Sequence, residues 1–510
     1  MKNILKYTFA VIALGFVSCE PEFDSPVTES GFYSSGTADL SKYVAVGNSL
    51  TAGYASGALY ITGQENSYPN IMAQQFGFAG GGEFTQPLMN DNIGGLLLGG
   101  NQITENRFVL AVGPDGNPGP VRLVGTPTTD ITNKLTGPFN NMGVPGAKSF
   151  HLVAPGYGNV AGVATGTANP YFARFASNES TTVIVDASNQ GASFFSLWIG
   201  NNDILSYATS GGSGVDQTGN LDPSTYGEND ITDPNVFASV YSTQVEILAG
   251  QGAKGVLVNI PEVTSIPYFT TVPTKAIPLD AATAGALNAQ FAAYNTQILP
   301  GLAGMGVISP EEAAFRMLNF TAGQNFPITA DKDLTDLTDI LQGPPFSLPA
   351  STAALLGKLR QVKADDLIVL TASSELGSTP DPNNPQGVVG VSIPLGDEFV
   401  LSKTEQARIT TASMAYNATI QGLAAAKGLA YVDAKSELAK LSNGGIPFDA
   451  GILTSQFVTG GAFSLDGVHP TPRGYAYTAN MIIQAINNTY DATIPKVNIG
   501  NYGTITLTNN

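Results

Sequence analysis

Four short apolar runs constrain the fold of this chain more than any other feature. They lie at residues 43–46, 194–199, 255–260 and 430–432 and are rich in β-branched and aromatic residues. Each has the length and composition of a buried strand. Segments with helical spacing separate them. Residues 68–76 carry Ile71, Met72, Gln75 and Phe76 in step, and residues 281–298 carry Leu287, Phe291 and Tyr294. Ser309-Pro310-Glu311-Glu312 reads as a capping-box start, and residues 404–427 as an amphipathic helix. A helix over 472–486 is predicted to begin with Thr471 as N-cap and Pro472 as its first residue. Strands alternating with helices predict an α/β protein, a three-layer α/β/α sandwich with a mostly parallel sheet. No fixed-period repeat is visible, which argues against a solenoid or propeller.

Two stretches break the alternation and read as insertions. Residues 77–138 are rich in glycine and polar residues, with a strand pair at 108–112 and 121–124 around a turn near Asp115-Gly116. Residues 318–396 contain two leucine-rich pieces around a Pro-rich loop, then a strand at 367–370 and a turn-rich piece at 378–387. They suggest a cap over the sheet. The main domain is therefore expected over 41–490, followed by a tail, 491–510, with strand-like alternation over 496–507.

The N-terminus is a targeting segment. Lys2 and Lys6 precede an apolar run over 7–17 that is too short to span a bilayer comfortably. The run ends Phe16-Val17-Ser18-Cys19, and Cys19 is the only cysteine of the 510 residues, so no intramolecular disulfide is possible. This layout resembles the lipobox of bacterial lipoproteins. The resemblance implies a signal peptide over 1–19, lipidation of Cys19 and attachment to the bacterial cell envelope, at the outer membrane. Residues 20–40, rich in Pro, Ser, Gly and acids, are expected to form a flexible tether. The net charge of −18 argues against nucleic acid as a partner. The sequence does not define an oligomeric state.

Ser49 carries the chemistry. The first run ends at Gly47, where the backbone can turn sharply, and Ser49 falls just past the strand's carboxyl end, where open α/β sheets bind ligands. A serine hydroxyl needs a base. The chain holds only two histidines, His151 and His469. His469 follows Asp466 by three positions in one loop, a spacing that lets the carboxylate reach Nδ1–H and leaves Nε2 as the base.

Four blocks occur in order: Gly47-Asn48-Ser49-Leu50, Asn141-Met142-Gly143-Val144-Pro145-Gly146, Gly200-Asn201-Asn202-Asp203 and Asp466-Gly467-Val468-His469. The ordered set resembles the SGNH superfamily, also called GDSL hydrolases. The resemblance implies a flavodoxin-like fold and ester hydrolysis through Ser49, His469 and Asp466. It also implies an oxyanion hole made by the Ser49 N–H, the Gly146 N–H and the Asn202 side-chain amide. Asn48 stands where that family has aspartate; it keeps much of the shape and hydrogen bonding of aspartate but not the charge. Thr51 stands where the nucleophile elbow of α/β-hydrolases has its final glycine.

The expected substrate is a small-molecule, lipid or glycan ester, with no cofactor and no metal. Two alternatives share these residues: a carbohydrate acetyl esterase, and a catalytically silent lipoprotein that binds glycan or lipid. Other residues read as structural. His151 is a loop residue beside the glycine block. Trp198 packs in the core or walls the pocket. Asp331, Asp333, Asp336 and Asp339 do not follow the calcium-loop pattern and read as a solvated helix face. Gly80-Gly81-Gly82 lacks the lysine of a phosphate loop.

Overall fold

The computed structural model describes residues 32–113, 116–250 and 252–507. The expected signal segment with Cys19, most of the expected tether, Asp115 and the last three residues of the tail lie outside the described residues.

The core is a five-stranded, all-parallel sheet flanked by helices. Its strands are β1 (Tyr43–Gly47), β2 (Asn141–Gly143), β3 (Phe194–Trp198), β4 (Lys254–Val258) and β5 (Ala430–Val432). They lie in the order 2-1-3-4-5. Every residue of β1 and β3 is buried, as expected for parallel strands covered on both faces. Fully burying each valine or phenylalanine of these strands stabilises the fold by about 1.5–3 kcal/mol. Polar groups inside are satisfied: the Tyr43 hydroxyl meets Ser196 Oγ at 2.7 Å, and Asn141 donates to the Thr51 carbonyl at 2.9 Å.

The glycine block does not form a loop throughout. Asn141–Gly143 is itself an edge strand paired to β1, and a 3-10 turn, Ser149–Val153, follows. Gly143 explains the contact, since a β-carbon there would lie 2.3 Å from the Ala52 backbone nitrogen. The helices that frame the site are α1 (Ser49–Ala52), α2 (Tyr68–Phe76), α3 (Val183–Ser188), α4 (Asn202–Thr209) and α5 (Pro234–Ala249), then α6 (Lys403–Lys427), α7 (Ala434–Ser442) and α8 (Pro472–Tyr490). They form two packed sets, α2 with α8, and α3 and α6 with α5. A full capping box starts α6, with Ser402 and Glu405 exchanging bonds. Thr471 caps α8 as expected, its Oγ1 accepting from the Gly474 N–H at 3.0 Å.

The insertions differ in detail from expectation. In the first, Phe108–Val112 pairs antiparallel with Pro118–Arg122, three residues upstream of the expected partner. The second has its own apolar core, from Ala284 to Leu359. That core takes in the 281–298 segment, which the alternation had placed in the main domain. This segment is no single helix; Ala281–Gln290 gives way to a wider turn over Tyr294–Ile298. The expected strand at 367–370 is only Leu367–Ile368, followed by a 3-10 turn.

Three further expectations are corrected. The aspartates at 331–339 are not one solvated helix face. Asp331 is buried, and Arg360 bridges it to Asp366 with contacts of 2.5 Å each. A guanidinium this buried needs both carboxylates. The tether does not extend to residue 40, because Ser34 and Thr37 bond to Thr493 and Tyr490 while Ala38 and Leu40 are buried. The described part of the tail is not a strand: it holds one 3-10 turn, Ile499–Asn501, and a single bridge from Leu507 to Leu110. Among the described residues, no helix is long and apolar enough to cross a membrane.

Candidate active site

Ser49 is the first residue of α1, directly beyond β1. Asn48 caps that helix, its Oδ1 accepting the Leu50 N–H at 3.1 Å. The Ser49 backbone N–H thus sits where a helix leaves donors without intrahelical acceptors. Gly47 is required by close approach. A β-carbon there would lie 2.3 Å from the Trp198 carbonyl oxygen.

His469 approaches from the other end of the chain. Its Nε2 lies 2.9 Å from Ser49 Oγ, and its Nδ1 lies 3.0 Å from Asp466 Oδ2. The loop carrying both residues is closed by the Ser464 N–H donating to the His469 carbonyl at 2.8 Å. Gly467 turns it with φ +72°, and its carbonyl accepts the Tyr268 N–H at 2.9 Å, which pins the loop to the body. The Tyr54 ring covers the imidazole with centroids 4.7 Å apart.

Asp466 is heavily hydrogen-bonded. Oδ1 accepts the Val468 and His469 N–H groups at 2.9 and 2.8 Å and the Ser464 hydroxyl at 3.1 Å. Oδ2 also accepts the Gly57 N–H at 2.8 Å. Burial acts to raise its pKa, but the neighbouring His469 and these donors outweigh it and hold the carboxyl at about 2. It is an acceptor-only group at neutral pH, suited to fixing the Nδ1–H tautomer.

The other expected residues are distributed as follows. Asn202 lines the same cavity as Ser49 and His469. One of its amide hydrogens is spent on the Ala147 carbonyl at 2.9 Å, leaving the other donor of the group. Gly146, with φ +81°, sits in the turn that this bond ties to α4, but it is outside the cavity lining. Asp203, next to Asn202, is fully buried and points away from the cavity wall, accepting the Ser149 N–H at 2.8 Å and the Ser149 hydroxyl at 2.6 Å. Burial raises its pKa. Asp203 therefore clamps the glycine turn to the start of α4. Trp198 does both things expected of it: it is buried, donates to the Asn259 carbonyl at 3.2 Å and lines the cavity. His151 stacks on Tyr157, and its Nδ1 accepts the Lys148 N–H at 3.1 Å. Burial first, then the Lys148 charge, lower its pKa to about 4. It is a packed neutral ring.

Several contributors escaped the sequence reading. Asn48 Nδ2 faces Asn201 Oδ1 at 3.4 Å, a donor role that aspartate lacks. Gly57 and Tyr54 carry no motif. Ser464, whose hydroxyl reaches Asp466, carries no motif either. Among the described residues, no group of His, Cys, Asp or Glu side chains is arranged to hold a metal ion.

The arrangement has a hydroxyl against an imidazole nitrogen, a carboxylate behind the ring, and an amide in the same cavity. Chemically it suits removal of the Ser49 proton during attack on an electrophilic carbon. Comparison with protein-family models, with curated proteins and with solved structures finds no match to this chain.

Proposed function

We propose that this chain is a serine ester hydrolase of the SGNH type, exported and held at the bacterial cell envelope by a lipid on Cys19. The observation that carries the reading is the 2.9 Å contact between Ser49 Oγ and His469 Nε2, backed by Asp466. The strand order 2-1-3-4-5, the order of flavodoxin-like sheets, supports the finer fold assignment.

In the proposed reaction Ser49 Oγ bonds to the ester carbonyl carbon while its proton passes to His469 Nε2. Asp466 stabilises the imidazolium. The carbonyl oxygen becomes an oxyanion that accepts from the Ser49 N–H, the Asn202 amide and the Gly146 N–H. The bond to the alcohol oxygen then breaks and His469 returns the proton to it. Water repeats the sequence on the acyl-serine, releasing the acid and restoring Ser49.

The test is labelling of the full chain with a fluorophosphonate, beside hydrolysis of an aryl ester series. Labelling confined to Ser49, lost in Ser49→Ala together with turnover, is the expected result. An unlabelled Ser49 with no ester turned over would leave only a binding role for the cleft.

A further inference from the structure

Tyr54 reaches each member of the Ser49–His469–Asp466 set. Its backbone N–H donates to the Ser49 carbonyl at 3.0 Å. Its ring lies 4.7 Å from the His469 ring, centroid to centroid, with the planes tilted by 49°. Its hydroxyl donates at 2.8 Å to the carbonyl of Gly57, the residue whose N–H reaches Asp466. The ring is held from behind as well. Tyr475 donates its hydroxyl to the Tyr54 carbonyl at 2.7 Å, and the Tyr171 ring stands nearly perpendicular to the Tyr54 ring at 6.2 Å. Met89, Leu96 and Ile131 of the first insertion belong to the apolar cluster against which Tyr54 packs. Burial first, with Tyr171 and Asp466 adding to it, holds the phenol well above its ordinary pKa, so the hydroxyl stays a donor.

We propose that Tyr54 is a positioning residue for the reaction, its ring holding the imidazole and stabilising the positive charge that His469 gains when the Ser49 proton moves to Nε2. The inference rests on the esterase reading above. Asp466 sits at one edge of the imidazole, on Nδ1, and Ser49 at the other, on Nε2. The side chains of His469 and Asp466 are 14% and 11% exposed, so little water is at hand to solvate a charge on the ring. An aromatic ring attracts a cation within about 6 Å of its centroid through its quadrupole, and has much less hold on a neutral ring. The attraction is therefore gained as the imidazolium forms, and it acts on kcat and not on KM. The first insertion acquires a role in this reading, since its apolar core backs the ring beside His469.

The experiment uses the full chain and a short aryl ester. Tyr54→Phe is the reference, because it keeps the ring and removes the hydroxyl. At the same position, phenylalanine rings carrying one, two and three fluorines keep nearly the same shape while fluorine draws electron density from the ring face. Expected is a stepwise fall in kcat, about tenfold from the plain to the trifluorinated ring, with KM within about twofold. Fluorophosphonate labelling of Ser49 slows in the same steps, because it too passes a proton to His469. Urea unfolding checks that the variants fold alike; should the trifluorinated ring fail this, the slope over none, one and two fluorines is read instead. A flat kcat, or a change confined to KM, with Ser49 still labelled overturns the role of Tyr54 and leaves the esterase reading standing. If Ser49 of the unaltered chain is neither labelled nor needed for turnover, both fall.

Discussion

The backbone N–H of Gly57 donates to Asp466 Oδ2 at 2.8 Å, the oxygen that also faces His469 Nδ1. The loop following Ser49 thus holds the carboxylate behind the imidazole that Ser49 touches. The two ends of the chain build one unit, in which moving either loop disturbs the other.

Asp466→Asn should therefore act on rate more than on binding. The amide cannot both accept from three backbone donors and favour the Nδ1–H tautomer. A fall in kcat of about 10³–10⁴-fold is expected, with KM within a few-fold. Steady-state kinetics on a short aryl ester would decide it; a loss under tenfold would remove Asp466 from the mechanism.

The same carboxylate makes stability depend on pH. Its folded pKa of about 2 lies below the unfolded value of about 3.9. The stabilisation, on the order of 2 kcal/mol, is fully present above about pH 4 and is lost as pH falls through 2. The stability gap between wild type and Asp466→Asn should narrow by roughly 1 kcal/mol between pH 6 and pH 3, as read by urea unfolding.

His151 gives the opposite chemical case, a base kept neutral. Its folded pKa of about 4 lies below the free value of about 6.5, so the unfolded chain binds the extra proton between those limits and stability rises with pH across them. With His469→Gln as background, the one remaining imidazole should titrate by NMR near pH 4. A midpoint near 6.5 would mean that the Tyr157 stack is open in solution.

Asn202→Ala removes the proposed oxyanion donor and the tie to Ala147 together. The expected loss is about 10²–10³-fold in kcat, or 2.7–4 kcal/mol of transition-state stabilisation. Fluorophosphonate labelling should slow in parallel, because it too builds negative charge on oxygen.

Asp203→Ala should destabilise without touching the reacting atoms. It leaves the Ser149 N–H and hydroxyl buried without their acceptor, at a cost of about 2–4 kcal/mol. Asp203→Asn should recover part of it. Urea unfolding of the two variants would separate this clamp from a solvated carboxylate, for which both would be neutral.

The sheet and the hydrogen-bonded set Ser49, His469 and Asp466 were legible because each leaves a local mark. Buried parallel strands read as apolar runs, and the blocks at 47–50, 200–203 and 466–469 sit at strand or loop ends where a short motif carries the geometry. What stayed hidden depends on distant partners. Asp331 looks like any surface aspartate until Arg360 is folded against it. Gly57 meets Asp466 across 409 positions of chain through a backbone group that every residue possesses. The 281–298 segment had helical spacing, but which core its apolar side faces is a tertiary fact. Helix α7 carries Ala434, Leu438 and Leu441 at helical spacing, but the wall it lends the cavity beside Ser49 is visible only once α8 is folded beside it.

The stitching of Ser34 and Thr37 onto the end of α8 has a consequence for reach. With an acyl anchor at Cys19, the leash ends at Ser34, well before the first strand. At ~3.3–3.6 Å per residue it pays out to at most about 50 Å. Since the start of α8 also walls the cavity beside Ser49, an anchor at Cys19 would hold that cavity within one leash and one helix length of the bilayer.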